Sequence, residues 1–243
     1  MYKPIYEPRT RAREYCDLAV NIYTGCNHGC VYCYAPRVLR KSKEEFAEVQ
    51  PRAGIVESVK RQIEREKITG KMIMLCFTCD PYPAQIDTTP TRDVIKAIKE
   101  SGNHVQILTK GGCRAERDFD LLDSADNFGV TISGDKEDMK KNEPNAAHYL
   151  ERILTLGKAK KLGIKTWVSC EPVYNAEEVY RLIEAGTYID FFKIGKLNYH
   201  PSPIDWATFG AECERLCKKY GREYYIKEDL RAEMDRVRKC DQS

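Results

Sequence analysis

The stretch "LAVNIYTGCNHGCVYCYA", residues 18–35, opens as a strand and ends as a loop crowded with thiols. Leu18 to Tyr23 is a short, apolar, partly β-branched run of the kind that forms a buried strand. Cys26, Cys30 and Cys33 follow it directly, spaced too closely for any folded element to separate them. The same order, an apolar run and then a polar end, recurs along the chain. Runs at 71–78, 104–110, 128–133, 164–170 and 189–195 end in "FTCDPYP", "LTKGG", "TISGD", "SCEPV" and "IGKLN".

Between these runs lie helical patterns at 53–67, 91–101, 146–163 and 175–186, with another at 205–221. Their apolar residues recur at i, i+3, i+4, i+7, and several stop at glycine. Strands alternating with helices predict right-handed βαβ units and a parallel sheet covered on both faces. Six such units fall two short of a closed eightfold barrel. The expected fold class is therefore α/β, a partial parallel (β/α)6 TIM-like barrel with a small α-rich C-terminal segment. The expected division is an N-terminal extension at 1–17, the barrel at 18–204 and a helical segment at 205–243. In such a barrel the polar strand ends converge on one mouth, where ligands bind.

The composition of the 243 residues, 42% hydrophobic and 32% charged, is that of a globular chain rather than a disordered one. No apolar run approaches the ~18 residues of a membrane span, and the first residues lack the apolar core of a signal peptide. A cytoplasmic monomer with no membrane partner is expected. A net charge of +3 is too small to establish a polyanionic partner on its own. Eleven cysteines, an odd number at irregular spacing, argue against a disulfide framework.

A tight cysteine cluster in a reducing compartment points to metal. A four-iron, four-sulfur cluster usually takes four thiolates, so three leave one iron open for an outside ligand. The competing reading is a Cys3His zinc site that recruits His28.

At these residues the chain resembles the radical S-adenosylmethionine (SAM) superfamily, whose signature is Cys-x3-Cys-x-aromatic-Cys; Cys26, Cys30, Tyr32 and Cys33 match it. It resembles more narrowly the spore photoproduct lyase-like, or DNA repair photolyase, branch. The matching pieces are "NIYTGCNHGCVYCYA", "TCDPYP", Thr91-Arg92, "ILTK", "RDFDLL" and "VTIS", within residues 18–175.

The resemblance implies a 4Fe-4S cluster on Cys26, Cys30 and Cys33 and SAM as cosubstrate. Reductive cleavage of SAM would yield a 5′-deoxyadenosyl radical, with the electron coming from a donor such as flavodoxin or ferredoxin. Tyr32 would lie by the adenine. Thr78, Cys79 and Asp80 would meet the SAM amino group, Lys110 its carboxylate, and Ser133 the ribose or carboxylate. Glu171, at the fifth strand end, is a weaker candidate for the same pocket. Lyases of this branch return a hydrogen atom from a cysteine near the end of the second strand, a position that falls on Phe77 here. Cys79, two residues on, is the candidate catalytic thiol, either as that donor or as a SAM contact.

The other cysteines read differently. Cys76 and Cys79, three apart on a strand, are expected on opposite faces. Cys213 and Cys217 share a helix face, so they are either apolar packing or, with Cys240, an auxiliary cluster. Arg11, Arg13, Arg37, Arg40, Lys41 and Lys43, interleaved with Tyr15, Tyr23 and Tyr34, would suit phosphates and stacked bases. The leading expectation is a radical enzyme acting on nucleic acid, by lesion repair or base modification. The alternatives are radical modification of a peptide or small metabolite, and a non-catalytic iron–sulfur carrier or sensor.

Overall fold

Alternating burial along His104–Thr109 and near-complete burial along Lys165–Cys170 show strands with helices on one face and a filled lumen on the other. The computed structural model describes residues 3–240, and the side chains of residues 3–236. One sheet holds eight strands in sequence order: β1 (Ile5–Tyr6), β2 (Leu18–Val20), β3 (Met72–Leu75), β4 (His104–Thr109), β5 (Asn127–Thr131), β6 (Lys165–Cys170), β7 (Phe191–Ile194) and β8 (Glu223–Ile226). β1 runs antiparallel to β2, and every later neighbour is parallel. The sheet curls without closing, as a partial barrel.

All six expected strands form, as β2 to β7. Two strands were not legible. β1 lies in the supposed N-terminal extension, and β8 lies in the segment expected to be helical, where it pairs with β7. The helices are α1 (Ala35–Leu39), α2 (Lys43–Ala47), α3 (Ile55–Glu66), α4 (Thr89–Glu100), α5 (Lys136–Asn142), α6 (Tyr149–Lys161), α7 (Ala176–Ala185), α8 (Trp206–Lys219) and α9 (Glu228–Cys240). Their buried stripes follow the helical period: Ile55, Val59 and Ile63 in α3, and Phe209, Cys213, Leu216 and Cys217 in α8. Among the described residues no helix is long and apolar enough to cross a membrane.

The main core lies between sheet and helices, while a smaller one fills the lumen around Ala19, Met74 and Trp167. One rung of the lumen runs Leu108–Gly129–Trp167–Phe191 across four strands. Gly129 is there because Trp167 crosses it. A Cβ at Gly129 would sit 2.3 Å from the indole ring, whose Nε1 donates to the Ile107 carbonyl at 3.1 Å. The next rung toward the strand ends, Thr131–Ser169–Lys193–Tyr225, is polar.

Candidate active site

The loop that leaves β2 is irregular over most of Asn21 to Tyr34 and is held by its own backbone at several places. Cys26 N–H donates to the Phe46 carbonyl (2.9 Å), Val31 N–H to that of Asn142 (2.9 Å), and Asn145 N–H to that of His28 (3.1 Å). Asn27 adds a two-way pairing with the Ala84 backbone, and Gly29 adopts φ 70°, a value that favours glycine. Asn21 ties the base of this loop to the end of β3, because its Oδ1 accepts from the N–H groups of Phe77 and Thr78.

Cys26, Cys30 and Cys33 are free and half-buried. Burial pushes all three thiols up, Cys30 to about 11. The residues fit a multi-iron cluster better than a single ion. Among the described residues the one group of metal-ligating side chains with single-ion spacing is His104, Asp123 and Asp126, and there the Lys99 ammonium already bridges the two carboxylates. Among the described residues His28 does not join the cysteines at single-ion spacing either. Arg114 lies at 3.2 Å from its Nε2, and its Nδ1 lies 3.5 Å from Asp80 Oδ2. Burial holds this imidazole down at about 4, against the pull of Asp80. Its Nε2 faces Arg114, while its buried Nδ1 lies near Asp80 without a hydrogen-bond partner.

The strand-end residues then separate into three groups. Asp80 is buried, and both its oxygens are taken: Oδ1 accepts from Thr109 Oγ1 (2.6 Å) and Tyr82 N–H (2.8 Å), Oδ2 from Lys110 N–H (2.8 Å). Burial alone would raise its carboxyl, but His28 and these donors hold it below the ordinary range. Asp80 thus joins the ends of β3 and β4. Thr78 beside it carries a buried hydroxyl with no partner, a group available to a ligand. Cys76 and Cys79 do not face apart as expected: β3 ends at Leu75, the alternation lapses, and the Cys76 thiol interacts with that of Cys79.

The second group centres on Glu143, which the sequence did not single out. Its Oε1 accepts from the Tyr32 hydroxyl and from Ser133 Oγ (2.8 Å). Its Oε2 pairs with Arg152, which also donates to the carbonyls of Thr131 (2.8 Å) and Ala147 (2.9 Å). Burial would raise Glu143; Arg152 and Lys110 outweigh it and hold the carboxyl down. The Lys110 ammonium lies 5.7 Å from the Tyr32 ring centre. Burial disfavours its charge, yet Cys30 and Glu143 more than compensate and keep it above its usual value. Tyr32, Lys110 and Ser133 are therefore one assembly beside Cys30.

Glu171 belongs to the third group. It accepts from Tyr15 (3.0 Å), Lys227 and Asn198 (3.3 Å). Tyr15 enters the lumen from the N-terminal segment, with Lys193 and Lys227 over its ring at 4.4 and 4.8 Å. Its hydroxyl also meets Ser169 at 3.0 Å. The barrel mouth thus has one half near the cysteines and a polar half on β6 to β8.

The sequence profile described as the Radical SAM superfamily matches residues 20–185, over half of the chain. The chain belongs to the radical SAM superfamily. SAM and a 4Fe-4S cluster are that family's cofactors, and Cys26, Cys30 and Cys33 carry its signature spacing. An uncharacterized protein of Methanocaldococcus jannaschii is 27% identical over 205 residues, covering 82% of this chain and 76% of its relative. One from Acidianus two-tailed virus is 28% identical over 178 residues, and there the match covers 66% of this chain and 57% of the viral protein. Among solved structures, a mutant of spore photoproduct lyase superposes with TM-score 0.69 at 14% identity over 91% of this chain and 79% of its own. Streptococcus suis SuiB bound to SAM superposes with TM-score 0.63 at 13% identity, over 86% of this chain and 49% of SuiB. These likenesses are of fold.

The remaining cysteines and basic residues are dispersed. Cys213 and Cys217 are fully buried in the outer core near Cys170, and burial pushes Cys217 up to about 12. They pack as apolar residues; the side chain of Cys240 lies outside the described residues. Of the basic and aromatic set that might have met nucleic acid, Arg11 pairs with Asp229, Arg13 with Asp17, and Lys41 donates to the Thr24 carbonyl. Tyr23 is buried against Thr91. Arg37, Arg40, Lys43 and Tyr34 remain at the surface.

Proposed function

We propose that this protein is a radical SAM enzyme whose substrate is a nucleobase or nucleotide unit of nucleic acid. The observation that carries the substrate class is the fold likeness over about nine-tenths of the chain to spore photoproduct lyase, one structure of which holds a dinucleoside spore photoproduct. A 4Fe-4S cluster held by Cys26, Cys30 and Cys33 would, once reduced, supply the electron for cleavage of SAM to methionine and a 5′-deoxyadenosyl radical. The protein supplies placement and a water-poor enclosure. On this reading Lys110 offers its charge to the SAM carboxylate, and the free Thr78 hydroxyl and Cys79 line the amino group. Tyr32 is fixed by Glu143 where an adenine would stack. Asp80, Ser133, Glu143 and Arg152 act as positioning residues, since their polar atoms are already engaged with one another. Ser169, Glu171, Lys193, Asn198 and Tyr15 give the far half of the mouth the donors and acceptors that base edges require.

Phe77 stands where the lyases carry their hydrogen-donating cysteine, so the reaction proposed is not spore photoproduct reversal itself but another hydrogen abstraction from nucleic acid. The test is anaerobic turnover with SAM and deuterated substrates: DNA oligonucleotides and structured RNA labelled at sugar and base carbons, and peptides labelled at α and side-chain carbons. Deuterium appearing in 5′-deoxyadenosine only with nucleic acid supports the reading. Transfer only from peptides, or 5′-deoxyadenosine formed at one rate whatever is added, would overturn it.

A further inference from the structure

The outward face of α6 is apolar, and nothing in the site described above uses it. Leu150 and Leu154 are 66% and 65% exposed, and Leu162, which caps the helix, is 62% exposed. The exposed positions of α3, by contrast, are all charged: Glu57, Lys60, Arg61, Glu64, Arg65 and Glu66. The buried residues of α6, Arg152, Thr155, Leu156 and Ala159, lie on its opposite side. Leu150, Leu154, Gly157 and Lys161 recur at i, i+4, i+7 and i+11, the spacing of a seam along which two helices pack. Gly157 is the informative member of this row. A glycine inside a helix is destabilising relative to alanine, and a Cβ at Gly157 would meet nothing within 4 Å. The Trp167 ring accounts for Gly129; no described residue accounts for Gly157.

We infer that this face pairs with the same face of a second copy of the chain, the two α6 helices lying antiparallel about a two-fold axis. With the axis between Leu154 and Gly157, Leu154 of each copy fills the space over Gly157 of the other. Leu150 then packs on the aliphatic stem of the other copy's Lys161. Each contact occurs twice, as a self-complementary interface requires. The charges favour the same direction. The acid of α6, Glu151, is in its first turn, and its cations, Lys158, Lys160 and Lys161, are in its last. Antiparallel copies set each basic end beside the other's acidic end, whereas parallel copies would set like charges together. Lys158 and Lys160 pair within the chain with Glu116 and Asp190; among the described residues Lys161 has no such partner. A single aliphatic row beside a glycine gap suits a helix better than a lipid surface or a nucleic acid. Those would call for a broad apolar face or for stacking rings. One row of contacts makes a small interface, so the dimer forms reversibly and the monomer expected from the sequence is its dilute form. The inference is independent of the substrate class.

The experiment is sedimentation equilibrium of the full, cluster-loaded chain from about 1 to 200 µM, with a thiol reductant to prevent disulfide-linked copies. The parent should pass from monomer to dimer across that range. Leu154→Glu should weaken association roughly 10-fold or more, because it places a charge in the seam. Gly157→Gln should do the same by filling the gap, although a Cβ there is free of contacts within one copy. At the dilute end the thermal midpoints of both variants should not fall below the parent's, and iron content and SAM affinity should be unchanged. A parent that stays monomeric throughout would overturn the proposal, as would a dimer that persists unweakened in either variant. So would binding of anionic vesicles or a single-stranded oligonucleotide that Leu154→Glu abolishes while self-association is unaffected.

Discussion

Glu143 and Arg152 form an ion pair in which neither side chain has any solvent exposure, and the carboxylate's other oxygen holds Tyr32 of the cysteine signature. A structural pair thereby sets the position of a cofactor-facing ring. Because a buried charge cannot be left alone, Glu143→Gln should cost about 3–5 kcal/mol of stability. Glu143→Gln with Arg152→Met should recover part of that loss. Urea unfolding of the parent and the two variants measures both; equal midpoints for parent and Glu143→Gln would show the pair to be dispensable.

Changing Cys26, Cys30 or Cys33 to Ala should each reduce bound iron to background after anaerobic reconstitution, since three thiolates already leave one iron open. The iron-free chain should keep its thermal midpoint, because the three positions are half-buried parts of a loop held by its own backbone. Stoichiometric zinc in the parent, with no uptake of iron, would contradict this assignment.

Lys110→Ala should weaken SAM binding by about tenfold, the scale of one charge-assisted contact, with iron content unchanged. Calorimetric titration of SAM into the loaded protein reads the effect. An unaltered affinity would leave Lys110 only its contacts with Cys30, Glu143 and Tyr32.

Cys79→Ser keeps size and hydrogen bonding but removes the weak S–H bond. If Cys79 is a SAM contact, 5′-deoxyadenosine should form at close to the parent rate and the products should be the same. Off-pathway adducts confined to this variant would make Cys79 the hydrogen donor instead.

Lys193 carries a pH signature. Burial first, then the neighbouring Lys227, lowers its amine to about 8, whereas an unfolded lysine titrates near ~10.4. Between those values the unfolded chain binds the extra proton, so this residue's contribution makes stability rise with pH across the window. Lys193→Met should flatten that rise relative to the parent in denaturant midpoints taken from about pH 7 to 10. Parallel profiles would show that the amine titrates normally.

The legible part of this protein was local. Cys26, Cys30 and Cys33 lie within one short loop, so their spacing pointed to a metal site and carried the family resemblance, and the apolar runs of β2 to β7 disclosed the sheet. Asp80, Lys110 and Ser133 were legible as strand-end residues, because a parallel sheet delivers every strand end to one mouth. Their division of labour was not. Tyr32 meets Glu143 across 111 residues and Tyr15 meets Glu171 across 156, and no periodicity announces a partner at that separation. β8 escaped for a related reason. Its four residues, only the last of them buried, carry little pattern of their own and become a strand by bonding to β7. Sequence determined what reports through near neighbours, namely element type and ligand spacing. Tertiary structure decided which buried charges face each other, because burial and distance, not residue type, determine whether a carboxylate binds a ligand or a neighbour.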